Sequence, residues 1–224
     1  MFEDIKLAFD IGACDGGYTT GLLERGVEKV VCVEPNPTSF SRIQSRFGND
    51  DRVVALNNAA SSINGETLKF YVSVKHPPIS TAAIEWVESS RFANNRDENG
   101  IPYEWDQGVD TQTVNIDNLI LEYGVPQFIK IDTEGFEDRV IKGLSTYHKD
   151  MILTFEIAEE LVSVTYSALE YLNSIGYSNV GIVEGDDIAT LPVKYHSYDK
   201  FKDKMDEIFP SPSGEFFGMI FVKG

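Results

Sequence analysis

The chain has 224 residues, 42% of them hydrophobic and 25% charged, an ordinary globular composition long enough to bury a core without disulfide or metal staples. Its formal net charge of −17 repels phosphate backbones and anionic bilayers, which argues against nucleic-acid and membrane partners. No apolar stretch approaches the ~20 residues that a membrane-spanning helix needs. MFEDIKLAFD shows no basic leader or cleavage site, so a cytoplasmic protein is expected.

Apolar runs alternate with helical patterns, which predicts a parallel sheet with helices on both faces. Strands are expected at 6–11, 29–34, 53–57, 127–132 and 151–157. VVCVE is apolar without alternation, as in a strand covered on both sides. A helix over 17–25 stops at Gly26. In the next, Asn36 is the cap, Pro37 the first helical residue, Phe40, Ile43 and Phe47 the apolar face, and Gly48 the stop. TLKFYVSV (67–74) reads as an extra strand. Residues 75–110 form a long polar segment with Trp86, Tyr103 and Trp105, the pattern of a mobile substrate-side lid or binding loop. Asp117 is expected to open a short helix that ends at Gly124. Asp132 or Thr133 should open another that ends at Gly143, and 160–175 should form a third. NVGIVEG and EFFGMIFVKG read as a closing strand pair, with a loop or short helix between them. Cys14 and Cys32 have neither a CxxC partner nor metal-ligand spacing and read as small buried hydrophobes.

The chemistry concentrates in LAFDIGACDGG (7–17), a strand that runs into a glycine turn and then a helix. A dinucleotide fingerprint requires Gly-x-Gly-x-x-Gly, with the second glycine giving way to a pyrophosphate. Counted from Gly12, that position is Cys14, so a nicotinamide oxidoreductase is the weaker alternative. A cofactor without phosphate suits the turn better. S-adenosylmethionine offers an ammonium for Asp10 or Asp15, a carboxylate for backbone amides at the helix start, and ribose hydroxyls for Glu34 at the end of the second strand.

DIGACDGGYT, VEPNP, NNAAS and IKIDTEGFE, in this order, resemble the FkbM-type methyltransferases, a class I family that uses S-adenosylmethionine. The resemblance implies a Rossmann-like three-layer sandwich in a single domain spanning 1–224, with 75–110 inserted on the substrate side. Its sheet is expected to be seven-stranded and mostly parallel, with a reversed last strand. The implied activity is methyl transfer to a hydroxyl of a sugar, glycan or small metabolite. Asp10, Gly12, Ala13, Asp15, Gly16, Glu34, Pro35, Asn58 and Ala59 are the implied cofactor-binding residues. The same fold without catalysis, a cofactor-binding module, is the non-enzymatic alternative.

In the class I strand order 3-2-1-4-5, the ends of strands one, four and five lie side by side at the topological switch point. There Asp132 and Glu134 are the candidate catalytic residues, as general base or positioning groups. With Glu156 they form the candidate set for a divalent cation, the less favoured reading. The structural alternative makes Asp132 a helix cap and pairs Lys130 with Asp132 or Glu156. His76 is a minor acid/base candidate. Trp86 and Trp105 would either stack on a sugar or pin the long segment.

Overall fold

In chain order the elements are β1 (Leu7–Ile11), α1 (Gly17–Glu24), β2 (Lys29–Val33), α2 (Pro37–Phe47), β3 (Val53–Leu56), β4 (Ala59–Ala60), β5 (Thr67–Val72), α3 (Ile84–Ser89) and β6 (Gln107–Val114). They continue with α4 (Ile116–Tyr123), β7 (Phe128–Ile131), α5 (Glu137–Ile141), β8 (Ile152–Ala158), α6 (Val162–Ser174), β9 (Asn179–Glu184), β10 (His196–Ser197), α7 (Tyr198–Ile208) and β11 (Phe217–Lys223). These come from a computed structural model, which describes residues 4–185, 194–208 and 217–224. Parts of the expected closing loop (186–193 and 209–216) lie outside the described residues.

The main sheet runs β10-β9-β11-β8-β7-β1-β2-β3. β3, β2, β1, β7 and β8 are parallel, and β11 runs antiparallel between β8 and β9. This is the class I arrangement with its reversed last strand. The expected seven strands become eight among the described residues, because the two-residue β10 adds to the edge of β9.

Both faces of the central strands are covered, so β2 is apolar from Val30 to Val33 and β1 is broken only by Asp10. Along β1, Leu7, Phe9 and Ile11 enter one core with Ile129, Ile131, Val140 and Leu172, while Ala8 enters the other with Leu22, Ile43 and Phe128. Fully burying each such large side chain contributes roughly 1.5–3 kcal/mol. Asp10 lies on the Ala8 side by the two-residue alternation of a strand. α2 follows its sequence signals: the Asn36 side chain accepts the Thr38 amide at 3.0 Å, Pro37 begins the helix, and Ile43 and Phe47 are buried.

Three helix starts differ from expectation. α4 is capped by Asn115, which accepts the Asn118 amide at 2.9 Å, and Asp117 instead accepts from the Ser145 amide. α5 begins only at Glu137, with no side-chain cap, so neither Asp132 nor Thr133 opens it. α6 begins at Val162, after a 3-10 turn over Glu159–Leu161.

The largest correction concerns 75–110. The segment is tied down over most of its length. Pro77–Ile79 form a 3-10 turn, Thr81 pairs with Tyr71 as an extra bridge on β5, α3 follows, and β6 already begins at Gln107. β6 joins β4 and β5 in a second, three-stranded sheet. Trp86 is 2% exposed, and the Trp105 indole donates to the Ile79 carbonyl at 2.7 Å. Both tryptophans therefore pin the segment. Rings of Trp86, Phe92, Tyr103 and His76 pack in succession, with centroids 4.5–5.9 Å apart. Arg91 forks onto Glu160 at 2.7 and 2.9 Å, fastening the segment to the end of β8.

Candidate active site

The glycine turn leaves β1 with Gly12 at φ +76°, Cys14 at +49° and Gly16 at +80°, all left-handed. At Gly12 the conformation coincides with a close approach, since a Cβ there would collide with the Asp132 carbonyl on the neighbouring crossover. The turn is held from within. Val33 O accepts from Gly12 and Ala13, Ala13 O accepts from Gly16, and Asp15 accepts from Gly17 at 3.1 Å. Of the helix-start amides expected to meet a cofactor carboxylate, that of Gly17 is thus already engaged.

Glu34 follows β2 and is 5% exposed. One of its oxygens accepts the Cys14 amide and the other the Asn36 amide, both at 2.8 Å. Burial pushes its pKa up to about 7 against the pull of those two amides. Asn57 donates to the Glu34 carbonyl at 2.8 Å and to the Pro35 carbonyl at 3.2 Å. Asn58, the residue expected here, instead donates to Gln112 on β6.

Beneath the turn lies Lys130. Its ammonium donates to the Gly12 carbonyl at 3.0 Å and pairs with Asp132 at 3.1 Å and Asp10 at 3.6 Å. Burial alone would lower its pKa, but Asp132 and Asp10 more than reverse this and hold it charged. Asp10 has no exposed surface and accepts the Thr19 hydroxyl at 2.6 Å. It therefore sits under the cleft, supporting its floor through Lys130.

After β7 the chain makes a tight turn, with Glu134 at φ +56° and Gly135 at +87°. Glu137 organises it by accepting from the Thr133 amide (2.8 Å), the Thr133 hydroxyl (3.0 Å) and the Gly135 amide (3.3 Å). Burial raises the Glu137 pKa to about 7. Oxygens of Asp132, Glu134 and Glu156 converge within 4.8 Å of one another. Glu134 and Glu156 are both pushed well above the usual carboxylate range, first by burial and then by neighbouring acids: Glu156 and Asp132 around Glu134, Asp132 and Glu137 around Glu156. Burial and like-charge repulsion together strengthen the hold of these acids on a proton, as at sites that move protons.

These pieces line two adjoining clefts that share Gly12, Cys14 and Asp132. The first, with about 620 Å³ of open space, is mostly apolar: Val33, Pro35, Ala59, Ala60, Phe70, Pro77, Pro78, Ala82 and Phe136, with Glu34 and Glu134 on its wall. The second carries Asp15, Tyr18 and Lys130. The pair fits a cofactor with a flat base and ribose at one end and a zwitterionic amino-acid group at the other. Gly12 lines both clefts, and its lack of a side chain lets the turn pack directly against the Asp132 carbonyl.

Of the expected site residues, Gly12, Ala13, Asp15, Glu34, Pro35, Ala59, Asp132 and Glu134 line one or both clefts. Gly16 shapes the turn, Asp10 is buried behind the surface, and the partly exposed Asn58 turns to the Gln112 carbonyl. His76 turns away toward Asp97 (3.9 Å) and Tyr103. Sequence reasoning missed Asn57, Thr81 and Glu137. Glu137 had a signal, a second acid three residues after Glu134. Thr81 had none.

The sequence profile of the methyltransferase FkbM domain matches residues 10–205. The chain belongs to the FkbM methyltransferase family. Membership implies S-adenosylmethionine as cofactor. Among solved structures, the FkbM methyltransferase of Methylobacillus flagellatus KT is similar in fold, with a TM-score of 0.53, 17% identity, and coverage of 98% of this chain and 44% of that one. This FkbM chain thus spans less than half of that protein's length. A precorrin-6y C5,15-methyltransferase of Geobacter metallireducens GS-15 aligns with a TM-score of 0.46 and 12% identity, covering 99% of this chain and 82% of that one. The N-methyltransferase NodS of Bradyrhizobium japonicum WM9 aligns with a TM-score of 0.44 and 9% identity, covering 98% and 86%. No curated protein matches this FkbM chain by sequence. Among the described residues, no helix is long and apolar enough to cross a membrane.

Proposed function

We propose that the chain is an S-adenosylmethionine-dependent O-methyltransferase that acts on a hydroxyl of a sugar, glycan or small metabolite in the cytoplasm. One observation carries this reading. The glycine turn with Glu34 and the acid group Asp132, Glu134 and Glu156 meet across the β1–β7 junction, so a cofactor and a proton acceptor share one cleft. The domain is read as a single unit, with 75–110 as its substrate-side insertion and Pro77, Pro78, Ser80 and Ala82 as the wall that an acceptor meets.

When bound, the cofactor supplies an electrophilic methyl group. Glu34 would accept the ribose hydroxyls on lone pairs left over from the Cys14 and Asn36 amides. Pro35 and Ala59 would flank the base, while Asp15 and Lys130 would meet the ammonium and carboxylate of its amino-acid end. Glu134 would take the proton of the attacking hydroxyl, with Asp132 orienting that hydroxyl beside Lys130. The same three acids suit a hard divalent cation, which would lower the hydroxyl pKa instead.

The test is release of S-adenosylhomocysteine from a panel of sugars and glycan fragments, with wild type and Glu134→Gln, with and without chelator. Turnover that is lost in Glu134→Gln and indifferent to chelator supports the base. Turnover lost on chelation and restored by magnesium supports the cation. No release from any hydroxylated acceptor, despite cofactor binding, would leave a binding module.

A further inference from the structure

We propose that Thr81 is a positioning residue for Glu134, and that its hydroxyl sets the acid turn in register with the acceptor wall; the inference rests on the reading of Glu134 as proton acceptor. Glu134 occupies a left-handed conformation that a residue with a Cβ adopts only when its surroundings impose it. Three groups impose it here. Glu137 holds the turn's amides. Behind the turn there is no room to relax, since a Cβ on Gly135 would lie 2.6 Å from Leu161 and 3.3 Å from Trp86. The third is Thr81, whose hydroxyl donates to the Glu134 carbonyl at 2.7 Å, lies 3.3 Å from the Thr133 carbonyl, and accepts the Ala83 amide at 2.8 Å. It is the direct polar link between the inserted segment and the backbone of Glu134.

The placement follows from strand geometry. Thr81 is fixed by two backbone bonds to Tyr71, at 2.8 and 3.0 Å, so it extends β5 by one bridge. Side chains alternate along such a stretch. Ser80 and Ala82 line the cleft, and Thr81, between them, turns to the acid turn. The stretch 80–82 thereby carries the acceptor's wall on one face and the anchor of Glu134 on the other. A shift of either face moves both, and a misplacement of about 1 Å at a reacting group costs on the order of 10²-fold in rate.

Thr81→Val deletes the hydroxyl at nearly constant shape, and Thr81→Ser restores it. The first readout is the side-chain carboxyl of Glu134, followed by carbon-13 NMR with labelled glutamate and assigned by its loss in Glu134→Gln. At a fixed pH its resonance should move in Thr81→Val as the side chain leaves the corner shared with Glu156, and in Thr81→Ser it should keep its wild-type position. The second readout is hydrogen exchange across 131–138, faster in Thr81→Val and unchanged in Thr81→Ser, with S-adenosylmethionine affinity by calorimetry equal in all three. Where valine is not accommodated, Thr81→Ala removes the hydroxyl without bulk and is read the same way. A folded hydroxyl-less variant whose Glu134 signal and exchange match wild type would overturn the proposal. If those signals move but Glu134→Gln leaves turnover on the sugar panel intact, the link stands and the base assignment falls.

Discussion

Replacing Lys130 by Met tests the charge arrangement under the cleft most directly. The ammonium side chain is 6% exposed and compensates Asp10, whose side chain has no exposed surface, together with Asp132. Without it, Asp10 keeps only the Thr19 hydroxyl, and the Gly12 carbonyl loses a donor. Removing one partner of a buried ion pair costs about 3–5 kcal/mol, because the remaining charge stays desolvated. Asp132, one-third exposed, recovers part of its loss from water. At about 2–4 °C per kcal/mol for a domain of this size, the melting temperature should fall by roughly 6–20 °C. Urea unfolding of wild type, Lys130→Met, Asp10→Asn and the double variant closes a mutant cycle. If the pair is as drawn, the double variant is more stable than Lys130→Met alone, because the orphaned carboxylate has gone. A double variant destabilised by the sum of the two single changes would refute the reasoning.

Glu34→Ala should weaken cofactor binding about tenfold or more by calorimetry while the fold persists, since it removes the proposed ribose acceptor and frees two amides. Glu34 and Glu137 both titrate near pH 7 when folded, against about 4.5 unfolded, so the folded state binds more protons between these limits. The stability they contribute is full below about pH 4.5 and is lost as pH rises through about 7. Denaturation midpoints should therefore fall from pH 5 to 8, with a shallower slope in Glu137→Gln. Trypsin should cut after Arg96, in the exposed stretch that follows Phe92, well before it cuts after Arg91, which is forked onto Glu160. Equal cleavage at both would restore the picture of a loose lid.

The layered fold was legible because its determinants are local: largely apolar strands, the Asn36–Pro37 helix start and the Gly12 turn are all set by a few neighbouring residues. The positions of Glu34, Asp132 and Glu134 were legible for the same reason, each lying just beyond a strand end. What escaped depends on distant partners. Thr81 meets Glu134 across 53 residues of chain, and Trp86 is buried by a core that no window around it reveals. The polar character of 75–110 suggested mobility, yet its few aromatics and Arg91 are enough to fix it. Asp132 looked like a helix cap, yet the N-cap position of α5 falls at Phe136, four residues further on.

Among the described residues, the acid corner gathers Asp132, Glu134 and Glu156 beside Lys130, whose charge is already shared between Asp10 and Asp132. On the proposed reading, a carboxylate that accepted the proton of an attacking hydroxyl would become neutral, and a bound donor would lose its positive charge with its methyl group. The net charge of the loaded cleft would then be the same before and after. A corner so rich in carboxylates would hold a positively charged donor more firmly than its neutral product, and the acids would act as a one-way preference.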